Sequence, residues 1–109
     1  MENKTKAMTY VGFAIRAGKC KIGTGAVETL KKAELIIVCS STGENTLKEA
    51  QKLAKKLNCK IIKTVNNTLE EMTFKKNAKV MAVTDKSLAK AIYDQKDIEF
   101  VEVGEIING

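Results

Sequence analysis

The sequence predicts an α/β fold, a three-layer α/β/α sandwich with a central, largely parallel small mixed sheet. Two apolar runs, at residues 35–39 and 80–83, are continuous rather than alternating, which is typical of strands buried on both faces. Apolar residues recur at helical spacing in the stretches around them, as expected for βαβ units with right-handed crossovers. With 109 residues and no proline or low-complexity stretch, we expect residues 1–109 to form a single domain.

The first half of the chain predicts two helices that flank an extended piece. Asn3 is a suitable cap for the first helix, which we expect to end at Gly18, because glycine readily takes the left-handed conformation of a C-terminal cap. Residues 19–22 then form a short extended piece. A second helix of modest length starts at Gly23-Thr24, and its inward-facing residues are Ala26, Val27 and Leu30.

Local capping patterns delimit the remaining elements. The sequence at 41–44, Ser-Thr-Gly-Glu, has the spacing of a capping box and precedes a clearly amphipathic third helix. A short strand at 60–63 is followed by a second such pattern at 68–71, which starts a helix through about Phe74. Asp85 caps a last helix after the strand at 80–83. The tail, 98–109, fits either an edge strand or an irregular cover.

Charge and cysteine content narrow the classes of partner and cofactor. Nineteen basic residues against thirteen acidic ones give a net charge of +6, which favours a polyanionic partner. Cys20, Cys39 and Cys59 are far apart and the chain has no histidine, so we expect neither a disulfide scaffold nor a zinc site, and no cofactor. No apolar run is long enough for a membrane span or a signal peptide, so we expect a cytoplasmic monomer without a membrane partner.

The candidate catalytic residues have simpler structural explanations. Without histidine, the usual general base near neutral pH is missing. Cys39 ends a buried strand, where a thiol normally behaves as a small hydrophobe. Cys20 lies between Lys19 and Lys21, which favour a lowered pKa and a reactive thiol, but no partner base accompanies it. We therefore predict a protein that is not an enzyme.

The segment Gly18–Gly25 is the strongest candidate for a binding surface. Its two glycines before a helix, Gly18 and Gly23, resemble those of a phosphate-binding loop, but threonine follows Gly23 where that loop requires lysine. A G-x-G-x-x-G motif is also incomplete, because Glu28 occupies the position of its last glycine. Glycines at a helix start expose free N–H groups and the positive end of the helix dipole. Basic residues surround the segment, and they favour an RNA-facing surface over a plain glycine turn with solvated lysines: Arg16, Lys19, Lys21, Lys31 and Lys32.

Several motifs in a fixed order resemble a known family. They are Val11-Gly12-Phe13-Ala14-Ile15-Arg16-Ala17-Gly18-Lys19, Gly23 before the second helix, Glu44-Asn45-Thr46, and Ala82-Val83-Thr84-Asp85-Lys86-Ser87-Leu88-Ala89-Lys90-Ala91-Ile92. Together they resemble the kink-turn RNA-binding ribosomal protein superfamily of archaeal and eukaryotic large-subunit type, and most of all its bacterial YlxQ-like branch. The resemblance covers most of residues 8–93 and implies the same α/β/α sandwich.

The resemblance implies that two segments grip a sharply bent RNA helix. The first reads sheared G·A pairs through a Gly-Thr-Asn-Glu-type motif, and the matching positions here are Gly23, Thr24, Gly25 and Ala26. Glycine and alanine thus replace the Asn and Glu side chains, and each lost contact removes roughly 1–3 kcal/mol of discrimination between bases. Thr29 stands where archaeal relatives carry lysine. The second segment maps near Lys75–Lys79.

The sequence therefore predicts a non-catalytic RNA-binding protein of ribosomal-protein type that recognises folded RNA, such as a kink-turn, by backbone and lysine contacts. The candidate contact residues are Arg16, Lys19, Lys21, Gly23, Thr24, Gly25, Ala26, Thr29, Lys32, Lys76, Asn77 and Lys79. One alternative is a protein-interaction module associated with the ribosome or with transcription and translation factors, which the substitutions at Gly25 and Ala26 favour. A second alternative is an enzyme or nucleotide-binding domain of similar topology.

Overall fold

A computed structural model of the protein describes residues 6–95 and 99–103. In chain order, its elements are α1 (Lys6–Arg16), β1 (Cys20–Ile22), α2 (Thr24–Glu28), β2 (Leu35–Val38), α3 (Glu44–Leu57), β3 (Lys60–Thr64), α4 (Leu69–Thr73), β4 (Val80–Val83), α5 (Lys86–Tyr93) and β5 (Phe100–Glu102). The expected cap at Asn3 lies outside the described residues. Within them, every helix is too short or too polar to cross a membrane.

The strands form one mixed sheet in the order β1-β4-β2-β3-β5. The predicted α/β class is confirmed, but the expectation of a largely parallel sheet is wrong. Among the described residues, only β2 and β3 pair in parallel, joined by the crossover helix α3, while the other three pairings are antiparallel. A continuous apolar run reports that a strand is buried on both faces, and that burial is independent of the direction of its neighbours.

Neighbouring residues of the central strands belong to two different apolar clusters. Leu35 and Ile37 of β2 share a cluster with buried residues of α1, α4 and α5, whereas Ile36 and Val38 share one with residues of α2 and α3. Successive side chains of a strand point to opposite faces, so each face of β2 has its own set of helical partners. All four residues of β2, and all four of β4, are buried.

Gly18 ends the first helix as predicted. Its φ of +67° lies in the left-handed region. Its N–H donates to the carbonyl of Ile15 (3.1 Å), and the N–H of Lys19 donates to that of Ala14 (2.8 Å). These two bonds are the pair that defines a Schellman C-cap, and they turn the chain from α1 into β1.

Of the three predicted side-chain caps that lie within the described residues, two are confirmed. The Thr68 hydroxyl accepts the N–H of Glu71 (3.1 Å), while the Glu71 carboxylate accepts the N–H of Thr68 (2.7 Å), so both halves of the capping box are present. The Asp85 carboxylate accepts the N–H of Leu88 (2.9 Å) and caps α5.

The capping box predicted at 41–44 is wrong. Helix α3 begins after Gly43, and no side chain caps it. The Ser41 hydroxyl instead accepts a hydrogen bond from the Lys79 ammonium (2.8 Å) and lies 3.1 Å from the Cys39 sulfur. Lys79, 38 residues away in sequence, thus binds this hydroxyl in place of the N–H groups at the start of the helix.

The tail contributes an edge strand, which decides between the two possibilities left open by the sequence. Strand β5 pairs antiparallel with β3, and Phe100 is completely buried. The N–H of Val103 extends the ladder by donating to the carbonyl of Ile61 (3.0 Å). The rest of the predicted tail, 98 and 104–109, lies outside the described residues.

Thr68→Ala is expected to lower the free energy of unfolding by about 1 kcal/mol, because the N–H of Glu71 loses its acceptor. Urea denaturation followed by circular dichroism measures the change. Thr68→Ser is the matched control, since it keeps the hydroxyl and should retain most of the stability. An equal loss in both variants would contradict the capping role.

Candidate functional site

Two segments predicted to bind RNA lie side by side at one end of the sheet. The glycine segment, Gly23–Ala26, follows β1, and the lysine loop, Lys75–Lys79, precedes β4. The N–H of Gly23 donates to the carbonyl of Val80 (2.7 Å), which joins the end of β1 to the start of β4. Because β1 and β4 are antiparallel, two segments about fifty residues apart in sequence lie next to each other.

Gly23 has a backbone conformation that only glycine adopts readily. Its φ of 102° and ψ of 143° place it where a side chain on any other residue would clash with its own backbone. A Cβ at this position would meet no atom within 4 Å apart from the residue itself and its two chain neighbours, so the requirement for glycine is conformational. Gly25 has no positive φ, and a Cβ there would also meet open space. The fold therefore does not require glycine at position 25.

Helix α2 is shorter than the sequence indicated. It spans only Thr24–Glu28, and its first internal bond runs from the N–H of Val27 to the carbonyl of Gly23 (2.9 Å). The N–H groups of the first turn, at Thr24, Gly25 and Ala26, precede that bond and have no acceptor within the helix. Five residues add up to a small helix dipole, so any attraction for an anion here depends mainly on these groups and on nearby lysines.

Thr29, another candidate contact residue, has its hydroxyl engaged within the protein. The hydroxyl donates to the carbonyl of Ala26 (2.6 Å) and so closes the last turn of α2. Its side chain supports the short helix that carries the glycine segment.

Glu70 of α4 organises the lysine loop. One oxygen of its carboxylate accepts the N–H of Asn77 (2.6 Å), whose φ of +61° makes the tight turn of the loop. The other oxygen lies 3.6 Å from the Lys79 ammonium, which also donates to the Ser41 hydroxyl. Lys79 thus has partners within the protein, whereas the side chains of Lys75 and Lys76 are exposed.

Other basic candidates lie toward the opposite end of the sheet. The carbonyl of Lys19 accepts the N–H of Thr84, just beyond the last residue of β4. Lys32 precedes Glu34, whose N–H donates to the carbonyl of Val83. Since β4 rises about 3.3 Å per residue, Val83 lies roughly 10 Å from Val80, beside which the glycine segment begins. Arg16, at the end of α1, has its guanidinium over the ring of Phe13, 5.1 Å from its centre.

Lys21 lies between the two ends, on the edge strand β1, and its side chain is exposed. It lies close enough to Cys20, as does Lys75, to favour the thiolate. Burial is the larger effect and raises the pKa of the Cys20 thiol, against the lowering by Lys75 and Lys21. The lowered pKa expected from the sequence is therefore wrong, because the flanking lysines are outweighed by desolvation.

The predicted role of Cys39 is that of a small hydrophobe, but its sulfur is also a hydrogen-bond acceptor. Burial alone would raise its pKa. Hydrogen bonds from the Ser41 side chain and from the backbone of Ser41, Leu69 and Glu70 outweigh that effect and lower the pKa of the thiol. Its sulfur accepts the N–H of Leu69 (3.3 Å), so it joins the start of α4 to the end of β2. Because its side chain is fully buried, we assign Cys39 a structural role.

Phe74 is a surface feature that the sequence did not single out. Its side chain is 79% exposed, the largest exposure among the bulky apolar residues described. It has a φ of +59° at the end of α4, directly before the lysine loop. A left-handed conformation costs a residue with a side chain roughly 1–2 kcal/mol. The only signal in the sequence was an aromatic residue next to Lys75-Lys76 at the expected end of a helix.

Comparisons with known proteins inform the fold alone. No family model matches the chain, and no curated protein matches it. A solved structure described as a protein with unknown function from Bacillus halodurans C is similar in fold, with a TM-score of 0.67 and 23% sequence identity. The similarity covers 82% of this chain and 94% of that protein.

Removal of the Glu70 carboxylate is expected to loosen the lysine loop. In Glu70→Ala, the Asn77 amide loses its acceptor and Lys79 loses its ion pair. Hydrogen exchange at the Asn77 amide should therefore accelerate about fivefold, which corresponds to roughly 1 kcal/mol for a partly exposed hydrogen bond to a charged group. Nuclear magnetic resonance measures the exchange.

Glu70→Gln is the matched variant, because its amide oxygen can still accept the N–H of Asn77 but has no charge to pair with Lys79. It should protect the Asn77 amide better than Glu70→Ala does. Exchange that is unchanged in both variants would show that Glu70 does not hold the loop.

Proposed function

We propose that this chain is a non-catalytic, cytoplasmic RNA-binding protein that recognises folded RNA, such as a kink-turn, by backbone and lysine contacts. The observation that carries the proposal is the hydrogen bond between Gly23 and Val80. It brings together the glycine segment and the lysine loop, the two segments that the family resemblance assigns to RNA.

The chemistry of this surface suits the phosphate backbone of a folded RNA. Gly25 is exposed and has no side chain, so a backbone can approach the first-turn N–H groups closely. Lys21 on β1 and Lys75 and Lys76 in the lysine loop have exposed side chains and add positive charge to these two neighbouring segments. Phosphate contacts of this kind supply affinity through counterion release, while shape supplies much of the selectivity for structured RNA.

Lys79 differs from Lys75 and Lys76 as a candidate phosphate contact. Its ammonium is held by Glu70 and Ser41, so its charge is partly compensated and its side chain is fixed. A phosphate that approaches the loop must compete with the Glu70 carboxylate for this ammonium. We therefore rank Lys75 and Lys76 above Lys79 as phosphate contacts.

Binding to a kink-turn duplex, measured beside the same duplex with its tandem G·A pairs mutated, tests the proposal. We expect binding to both at low salt and tighter binding to the intact kink-turn. The preference should be modest, because Gly25 and Ala26 offer no side-chain hydrogen bonds to base edges. Gly25→Asn, which the open space at that position accepts, should enlarge the preference, by up to about tenfold to a hundredfold if the amide reaches a base.

Three outcomes separate the hypotheses. Equal affinity for the two duplexes would eliminate kink-turn recognition but leave general RNA binding. Binding to neither, even at low salt, would eliminate RNA binding. Co-purification with a protein partner that resists ribonuclease would then support the protein-interaction module.

Lysines at the two ends of the sheet are expected to contribute unequally to RNA affinity. Lys76→Ala should reduce the slope of log affinity against log salt concentration by about 1, the value for one lost phosphate contact. Lys32→Ala is the matched control, since it removes the same exposed charge near the far end of β4. Fluorescence anisotropy titrations between 50 and 200 mM salt, roughly the range over which such contacts weaken, measure both slopes.

If Lys32→Ala reduces the slope and Lys76→Ala does not, RNA binds elsewhere on the protein. Equal reductions would indicate a footprint that extends along the whole of edge strand β1.

A further inference from the structure

The exposed ring of Phe74 lies next to the lysine loop, and neither packing nor backbone conformation requires an aromatic residue at this position. Its side chain is 79% exposed, whereas the other exposed bulky apolar residues described, Phe13, Val65 and Val101, range from 41% to 46%. Hydrophobic burial therefore does not account for an aromatic residue here. Its left-handed φ makes glycine the favoured residue at this helix end, so the backbone does not account for it either.

The backbone beneath the ring is well fixed. The N–H of Phe74 donates to the carbonyl of Glu70 (2.8 Å), and the Glu70 side chain holds Asn77 in the next turn. The N–H of Lys75 donates to the Thr73 hydroxyl (3.2 Å), which itself donates to the carbonyl of Leu69. An exposed ring on an ordered backbone loses little conformational freedom when a ligand packs against it.

The surroundings of the ring favour nucleic acid over an apolar protein surface. The exposed residues that follow it, Lys75, Lys76 and Asn77, are polar, and two of them are cationic. A hydrophobic docking site on a protein normally surrounds its central aromatic residue with further apolar contacts. An aromatic face next to ammonium groups is instead the combination that binds an unpaired base together with its phosphates.

We propose that Phe74 stacks on an unpaired base of the folded RNA, while Lys75 and Lys76 contact the adjoining phosphates. This inference rests on the proposed RNA-binding function and assigns one residue and one kind of nucleotide to it. Stacking tolerates any base, because every base has an aromatic face. The surface thus gains affinity for unpaired nucleotides without the directional side chains that Gly25 and Ala26 lack.

The test compares Phe74→Ala, Phe74→Leu and Phe74→Tyr on the kink-turn duplex of the preceding section. Loss of the ring in Phe74→Ala should weaken binding about 5- to 150-fold, the range for loss of one stacked base. Phe74→Tyr should bind like the original protein, whereas Phe74→Leu, which is apolar but not aromatic, should bind nearly as weakly as Phe74→Ala. Thermal unfolding of each variant checks the fold, and Phe74→Gly provides a variant that the left-handed backbone favours.

Abasic RNA locates the base. Each unpaired nucleotide of the duplex is replaced in turn by an abasic residue, and the affinity of the original protein and of Phe74→Ala is measured. At one position, removal of the base should weaken the original protein and abolish the difference between the two proteins. Changing the identity of that base should have little effect.

The outcomes distinguish this inference from the function on which it rests. If the original protein binds no RNA, the proposed function fails and the inference fails with it. If the original protein binds but all Phe74 variants bind equally well, only the stacking role is overturned. If Phe74→Leu binds as well as Phe74→Tyr, or no abasic position cancels the effect of Phe74→Ala, stacking is overturned in favour of simple apolar contact, as with a protein partner.

Discussion

Insertion of β4 between β1 and β2, antiparallel to both, is the constraint on which the rest of the structure depends. At its start, the carbonyl of Lys79 accepts the N–H of Cys39, and the carbonyl of Val80 accepts that of Gly23. At its end, the carbonyl of Val83 accepts the N–H of Glu34. These bonds fix which loops meet at each end of the sheet. The glycine segment and the lysine loop therefore share a surface because of the direction of β4, although neither segment contains that information.

The same surface combines rigid and exposed charge. The Glu70 carboxylate accepts the N–H of Asn77 and also pairs with the ammonium of Lys79. It therefore compensates the charge of Lys79 and fixes the turn that carries Lys75 and Lys76. Lys75 and Lys76 extend from this fixed turn into solvent. Surface ion pairs contribute little to stability, so the main effect of Glu70 is to order the loop. An ordered cationic loop pays less entropy on binding than a mobile one, whichever polyanion it meets.

Much of the fold followed from local patterns. The C-cap at Gly18, the capping box at Thr68 and the cap at Asp85 involve residues within five positions of one another, so the sequence reveals them directly. The box at Ser41 failed for the opposite reason, since the competing partner, Lys79, is 38 residues away. The prediction of a largely parallel sheet was also wrong, because burial on both faces is compatible with parallel and antiparallel neighbours.

The candidate site, like the fold, was only partly predictable from the sequence. The sequence by itself determined which residue types are available: glycines at a helix start, lysines in a loop, and positions 25 and 26 without directional side chains. Only the tertiary structure decided that the lysine loop ends beside the glycine segment and that Lys32 lies toward the far end of β4. It also decided that Lys79 is already paired and that Phe74 is exposed. The physical reason is that composition and spacing report each residue's local preference. Proximity and exposure arise from the pairing of strands that are distant in the chain.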